Sequence, residues 1–219
     1  MSQNVWWQFR IAGVEDGGFS KAPLTCGVQK ALLVCVLLHG MRIEDFRAVA
    51  VTVDGLDASE KLVSMLRGLS FDAIMLAGVS FAGFNLIDPV FIFEVFSKPV
   101  IVVSRTRPDN LAVKGALFRH FEDWQIRWRV FEKIGPIHEV VSMPSEPPLY
   151  VEVVGADLNW TSDLIRAFTV CSRVPEPVRV ARLIAQGLTR VSRWRKDQGL
   201  LLPKKSKSFC SDFLQDNSS

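Results

Sequence analysis

Three apolar segments in the N-terminal quarter of the chain have the length and residue types of β-strands. They span residues 7–14, 24–38 and 41–53, and the loops between them carry Gly17, Gly18 and Gly40. Runs rich in Val, Leu and aromatic residues that are bounded by glycine are typical of strands. Because short connections join antiparallel neighbours, the pattern predicts a meander of three antiparallel strands.

The next part of the chain alternates helical patterns with short, continuous apolar runs. Asp57 and Glu60 form an N-cap pattern ahead of four apolar residues on one helix face: Leu62, Met65, Leu66 and Leu69. Residues 86–96 and 109–121 predict two more helices, the first with Pro89 in its first turn. The runs 73–76 and 100–103 predict strands that are buried on both faces, as in parallel sheets.

The C-terminal part adds a proline-rich loop, a strand near 150–154 and two helices, of which the last spans about 176–195 and is basic. Three antiparallel strands followed by strands with crossover helices predict an α/β fold with a ribonuclease H-like mixed sheet flanked by helices. Residues 1–203 are expected to form a single domain. Residues 204–219 are expected to form a polar, disordered tail.

Composition excludes several classes of protein. A hydrophobic content of 48% in 219 residues is enough for a core, and a net charge of +3 does not by itself indicate a nucleic-acid partner. The chain has no apolar run of about 20 residues and no export signal, which predicts a cytoplasmic protein without a membrane partner. Its four cysteines lack the spacing of a zinc site, and no organic cofactor is expected.

Several segments resemble the endonuclease V family in their order and spacing. Four of them are IAGVEDGGF at 11–19, FDAIMLAG at 71–78, KPVIVVSR at 98–105 and PEPVRVAR at 175–182. Two more, VDGLDASE at 53–60 and GVSFAGFN at 78–85, are similar to an archaeal endonuclease V-like branch. The resemblance covers about 9–188. It implies a relative of metal-dependent nucleases, with DNA or RNA as the partner and Mg²⁺ or Mn²⁺ as the ion.

The resemblance also implies where the metal-binding carboxylates of this chain would stand. The end of the first strand offers Glu15 or Asp16, and the start of the first helix offers Asp57 or Glu60, with Asp54 nearby. Asp16 and Asp57 are the residues expected to take part in catalysis. Each of these residues has a purely structural alternative, because Asp57 and Glu60 could cap a helix and the others could form turns.

Two positions depart from the endonuclease V pattern. Ala77 stands where the fourth strand normally ends in aspartate, and Arg182 stands where the last helix normally carries aspartate or histidine. The lysine that follows the fifth strand in the family is also absent, with Ser104 and Arg105 in its place. A methyl group cannot coordinate a cation, and a guanidinium keeps its positive charge. The metal site is therefore expected to be degenerate.

The loop at 78–85 corresponds to one that helps form the base pocket in endonuclease V. Gly78 and Gly83 would let the backbone approach a ligand, and Phe81 or Phe84 could stack on a base. The alternative is a packed turn whose phenylalanines belong to the core. Nucleic-acid contacts are also expected from arginines after the fifth strand and along the last helix: Arg105, Arg107, Arg179, Arg182 and Arg190.

Three functions are compatible with these residues. The first is a nucleic-acid-binding protein derived from a metal-dependent endonuclease, with cleavage lost or much reduced. The second is an active endonuclease with a rearranged set of carboxylates. The third is a protein-interaction module that reuses the old cleft for a protein partner. The first is our prediction from the sequence, since the acidic positions survive only in part.

Overall fold

The computed structural model describes residues 3–18 and 28–197, with side chains over 5–18 and 28–191. The described residues up to 189 form one compact unit, and those from 190 onward, the end of the last helix, belong to a second. The predicted tail at 204–219 and the start of the second predicted strand lie outside the described residues. In the described ranges, no helix has the length and apolar character needed to cross a membrane.

A 3-10 helix at Gln3–Gln8 precedes the strands and α-helices of the described chain. The strands are β1 (Arg10–Asp16), β2 (Lys30–His39), β3 (Arg42–Thr52), β4 (Ala73–Leu76), β5 (Ser80–Phe81), β6 (Asn85–Leu86), β7 (Val100–Ser104), β8 (His138–Val140) and β9 (Leu149–Val154). The helices are α1 (Ala58–Leu66), α2 (Pro89–Phe96), α3 (Asn110–His120), α4 (Trp124–Lys133), α5 (Leu158–Ala167) and α6 (Glu176–Asp197).

Seven of these strands form one mixed sheet in the order β3-β2-β1-β4-β7-β9-β8. The first three are antiparallel neighbours, whereas β1, β4 and β7 run parallel to one another. β9 pairs antiparallel with β7 and with β8. The predicted arrangement of an antiparallel meander followed by parallel strands is confirmed. β5 and β6 form a separate small hairpin.

Helices cover both faces of the sheet. On one face, Val14, Leu76 and Val102 pack with Leu62 of α1 and Ile92 of α2. On the other, the sheet packs against α5 and α6 through Ile11, Met75, Ile101, Leu164 and Val178. Successive residues of β1 and β4 point to opposite faces, as strand geometry requires, so both faces of the central strands are buried.

The sequence misplaced some boundaries. β1 begins at Arg10 rather than at residue 7, because the preceding segment forms the 3-10 helix, from which Trp6 packs on Phe9 with 5.0 Å between ring centroids. α2 begins at Pro89 rather than at residue 86, because the side chain of Asp88 accepts hydrogen bonds from the amides of Val90 and Phe91. α4 and β8 were not predicted from the sequence at all.

A close approach between β1 and α6 sets the position of the last helix. A Cβ atom at Gly13 would overlap the carbonyl group of Pro177, and one at Gly17 would overlap the hydroxyl of Thr189. Ala181 and Ala185 pack on Val34 and Val36 of β2 over the same interval. Small residues on both partners therefore let α6 lie against the sheet beside the end of β1.

Candidate nucleic-acid cleft

A cleft of about 400 Å³ opens where the parallel strands β1, β4 and β7 end beside α6. The carboxyl ends of parallel strands form one edge of a sheet, which is where ligands bind in open α/β folds. The strands, α6 and the loop before α6 line this cleft with Glu15, Asp16, Gly18, Ala77, Val103, Arg105, Ser172, Val174, Val178, Arg179, Arg182 and Gln186. It combines two carboxylates with three guanidinium groups.

The two carboxylates are adjacent in β1 and only partly exposed. Burial and the neighbouring charge of Asp16 together raise the pKa of Glu15 to about 7, although the backbone amide of Asp16 and the guanidinium of Arg182 act in the opposite direction. Burial also raises the pKa of Asp16, whose carboxylate accepts a hydrogen bond from the amide of Ala82. Both carboxyls therefore hold protons more readily than exposed ones would.

The other predicted metal ligands have different surroundings and do not line this cleft. Asp54 has a positive φ of 56°, and its side chain accepts a hydrogen bond of 2.8 Å from the amide of Phe84. Asp57 accepts hydrogen bonds from the side chain of Asn85 and from the amide and hydroxyl of Thr52. Although burial opposes its ionisation, these hydrogen bonds lower the pKa of Asp57 below its ordinary value.

The structure therefore divides the five acidic residues predicted for the metal site. Glu15 and Asp16 share the cleft, Asp54 and Asp57 stabilise loops, and Glu60 is exposed on the first turn of α1. Throughout the described ranges, no group of three or more His, Cys, Asp or Glu side chains could hold a metal ion. The side chain of Asp57 is also not a helix cap, although Asp57 precedes α1.

Ala77 and Arg182, the two positions at which the sequence departs from the endonuclease V pattern, meet in this cleft. Ala77 follows β4 directly, and its amide donates a hydrogen bond of 3.1 Å to the carbonyl of Val14. Its methyl group therefore faces the cleft next to the end of β1, where an acidic side chain would have met those of Glu15 and Asp16.

The predicted nucleic-acid-binding arginines fall into three groups. Arg105, Arg179 and Arg182 line the cleft, and Arg179 forms a bidentate ion pair with Glu176 at 2.6–2.9 Å. Arg107 is exposed outside the cleft lining and lies 3.6 Å from the carboxylate of Glu139. Arg190 is exposed and belongs to the second compact unit.

The hairpin β5–β6 and its flanks differ from the predicted base pocket. Phe81 is only 1% exposed and packs in the core, so its ring has no free face on which a base could stack. Phe84 is half-buried against the edge of Phe121, with 5.5 Å between ring centroids. Gly83 packs against the Asp54 carboxylate, whereas Gly78, with a φ of 131°, borders open space. The packed-turn alternative describes Phe81 correctly.

Arg127 is an important residue that the sequence did not single out. It lies on α4, is 5% exposed, and donates hydrogen bonds to the carbonyls of Asp54, Gly55 and Phe84. Arg127 therefore fixes the backbone of Asp54 and of the hairpin. The hairpin in turn binds the Asp16 carboxylate through the amide of Ala82. A lone arginine in a segment to which the sequence assigned no element gave no signal for this role.

Ser172 and Val174 line the cleft and were also missed in the sequence. They belong to the loop between α5 and α6, in which Arg173 donates hydrogen bonds to the carbonyls of Pro147 and Pro148. The hydroxyl of Ser142 also binds the Arg173 carbonyl at 2.7 Å. The only available signal was the position of this loop, immediately before the Pro-Glu-Pro motif that begins α6.

Comparison with known proteins identifies a family of endonucleases. The family model for endonuclease dU matches residues 7–189. A UPF0215 protein of Methanothermobacter thermautotrophicus is 37% identical over 188 residues, which cover 83% of this chain and 88% of that protein. An Archaeoglobus fulgidus crystal structure superposes with a TM-score of 0.72 at 29% identity, covering 82% of this chain and 98% of that one.

A more distant likeness confirms the predicted fold. Ciona intestinalis endonuclease V, solved with DNA containing an inosine, has a TM-score of 0.54 at 14% identity, with 87% of this chain and 86% of that one covered. At this level of identity the likeness concerns the fold alone. Together with the strand order, it confirms the ribonuclease H-like mixed sheet.

Proposed function

The chain belongs to the endonuclease dU family, and on that premise we propose that it binds nucleic acid in the cleft, with metal-dependent cleavage lost or much reduced. One observation carries the proposal, namely that Glu15, Asp16, Arg105, Arg179 and Arg182 line a single cleft. Guanidinium groups bind phosphate oxygens through paired hydrogen bonds, and a row of phosphates fits several arginines better than one small anion would.

The location of the cleft supports a polymeric ligand. It is open at the edge of the sheet, and arginines reach it from the end of β7 and from α6. A strand of DNA or RNA that crosses this edge would meet positive charge from both elements. Proteins with the endonuclease V fold include one solved with DNA, in agreement with a nucleic-acid ligand for this chain.

Glu15 and Asp16 are the residues that would hold a divalent ion. Mg²⁺ is commonly held by one or two carboxylates together with phosphate oxygens and water, so these two residues fit an ion that shares its coordination with a bound strand. Such an ion would supply an activated water and neutralise charge on the phosphate. Arg182 faces Glu15, and Ala77 offers no oxygen, so binding and cleavage are weakened together.

Titration of a labelled single-stranded oligonucleotide at low and moderate salt tests the binding proposal. Affinity should fall with salt, and Arg105→Gln should reduce the slope of log affinity against log salt by about 0.7, the value for one phosphate contact. Arg42→Gln is the matched control, because Arg42 is exposed on β3 at the far edge of the sheet. Negligible binding at both salt concentrations would instead favour the protein-interaction module.

An active endonuclease is the second candidate, favoured by the presence of both β1 carboxylates in the cleft of a chain from this family. Deoxyuridine-containing and inosine-containing DNA or RNA, incubated with Mg²⁺ or Mn²⁺, separates the two candidates. We expect little or no cleavage. Robust cleavage that disappears in both Glu15→Gln and Asp16→Asn would establish the active enzyme and contradict our proposal of reduced cleavage.

A further inference from the structure

Among the arginines in and near the cleft, Arg179 and Arg107 each have a carboxylate partner, whereas Arg105 and Arg182 form no ion pair within the described residues. Arg179 is held by Glu176, and Arg107 lies beside Glu139. Arg182 is half-buried on α6, between the part of the helix that packs on the sheet and solvent. Its guanidinium therefore remains available to an anion that enters the cleft.

The position of Arg182 on α6 places its side chain in the cleft at the ends of the parallel strands. Arg179, Arg182 and Gln186 are spaced three and four residues apart, so they share one helix face, and all three line the cleft. Ala181 and Ala185, on the adjacent face, pack on β2. Because small residues hold the helix close to the sheet, the long side chain at 182 lines the same cleft as Glu15, whose ionisation its charge favours.

Even when every carboxyl group is ionised, the cleft and its surroundings carry no excess of negative charge. The guanidiniums of Arg105, Arg179 and Arg182 equal in number the carboxylates of Glu15, Asp16 and Glu176. A site made only of carboxylates repels a phosphodiester until cations neutralise it, as like charges at close range disfavour each other strongly in a partly buried site. Here a fixed guanidinium already lies beside the carboxylates.

We propose that Arg182 provides the positive charge that binds a phosphodiester in this cleft, so that nucleic acid binds without a divalent ion. This inference rests on the proposed function. It adds that Arg182 is the residue that binds the phosphodiester and that this binding does not require a metal ion. A guanidinium cannot lose its charge and offers two parallel N–H groups to a phosphate. With the methyl group of Ala77 in place of an acidic side chain, nothing at the end of β4 repels the phosphate.

The experiment is a binding titration of a short single-stranded oligonucleotide in EDTA and in Mn²⁺, for the natural protein and for Arg182→Gln. The natural protein should bind equally well in both. Arg182→Gln should bind about tenfold more weakly or worse in EDTA, because a charge-assisted hydrogen bond is lost. It should recover much of this affinity in Mn²⁺, since an ion can then approach Glu15 and Asp16 without competition.

Two further variants keep the test decisive. Arg182→Lys, which keeps the charge but loses the paired N–H groups, should bind in EDTA more weakly than the natural protein and more tightly than Arg182→Gln. Arg107→Gln removes an exposed arginine that is paired with Glu139 and should weaken binding slightly, with no dependence on metal. Undiminished binding by Arg182→Gln in EDTA would overturn this inference alone. Failure of the natural protein to bind under any condition would overturn the proposed function as well, and binding only with Mn²⁺ would contradict metal independence.

Discussion

Two glutamates in this protein occupy surroundings that favour the neutral carboxyl group. Burial together with the charge of Asp16 raises the pKa of Glu15 to about 7 at the cleft, and burial alone raises the pKa of Glu152 to about 6. Glu152 is 6% exposed on β9, opposite Val102 of β7. Since Glu152 lies in the sheet and not in the cleft lining, its ionisation affects the stability of the fold separately from any ligand.

We predict that Glu152 makes the protein less stable as pH rises. The pKa of Glu152 is raised in the folded state, so its stabilising contribution is complete below about pH 4.5 and is lost as pH rises through about 6. Compared with Glu152→Gln, the natural protein should lose about 2 kcal/mol of unfolding free energy across this window. Urea denaturation of both proteins at several pH values measures it, and parallel stability curves would contradict the prediction.

A second prediction concerns Ala77 and Arg182 together. Ala77→Asp combined with Arg182→His should raise the affinity for Mn²⁺ about tenfold or more, because a carboxylate is gained and a competing charge is removed. The double variant should gain more than the two single variants combined, since both positions act on one ion. Calorimetric titration with Mn²⁺ measures this directly. A correctly folded double variant with unchanged affinity would show that these positions do not form a metal site.

For the acidic positions of the candidate site, the sequence indicated the place of a side chain best where that side chain lies at the end of a strand. Glu15, Asp16 and Ala77, which the family resemblance singled out, lie at or just beyond the ends of β1 and β4 and line one cleft. Asp54 and Asp57 lie in a turn, where the side chain can satisfy nearby backbone groups instead of facing a ligand. The pattern of residue types could not distinguish these two outcomes.

The β5–β6 hairpin depends on support from residues that are distant in sequence. It has only two residues in each strand, which is too short for independent stability. Asp54 binds it through the amide of Phe84, and Arg127 on α4 binds the carbonyl of the same residue. The hairpin in turn donates the Ala82 amide to Asp16, so α4 contributes indirectly to the geometry of the cleft.

We therefore predict that Arg127→Met destabilises the fold strongly. The substitution would leave the partly buried carbonyls of Asp54, Gly55 and Phe84 without this donor and Asp123 without its ion-pair partner. The expected loss is about 3 kcal/mol or more. Arg129→Met, an exposed position on the same helix, is the control and should change little. Equal denaturation midpoints for the two variants would refute the role of Arg127.

Arg127 also explains why α4 was not predicted. A charged residue occupies the buried face of this helix, where the amphipathic pattern requires an apolar residue. The compensation comes from carbonyls that are distant in sequence, and a local pattern cannot contain that information. The parallel strands were predicted well for the opposite reason, since continuous apolar runs record burial on both faces directly.

At the scale of the whole molecule, the antiparallel meander and the parallel strands have different roles in forming the cleft. The meander provides β2, against which α6 packs, and the parallel strands end together beside that helix. The cleft therefore forms where the two halves of the sheet and the last helix of the unit meet. Resemblance and strand order predicted this site, whereas the contacts that hold its loops in place became apparent only in three dimensions.

The central claim is that nucleic acid binds at the ends of β1, β4 and β7, and chemical-shift mapping with a bound oligonucleotide tests it most directly. The account predicts that backbone and arginine side-chain signals shift around Glu15, Ala77, Arg105 and Arg182 at the cleft. Signals from β3, at the far edge of the sheet, should remain in place. Shifts confined to β3 or spread evenly over the surface would contradict the account.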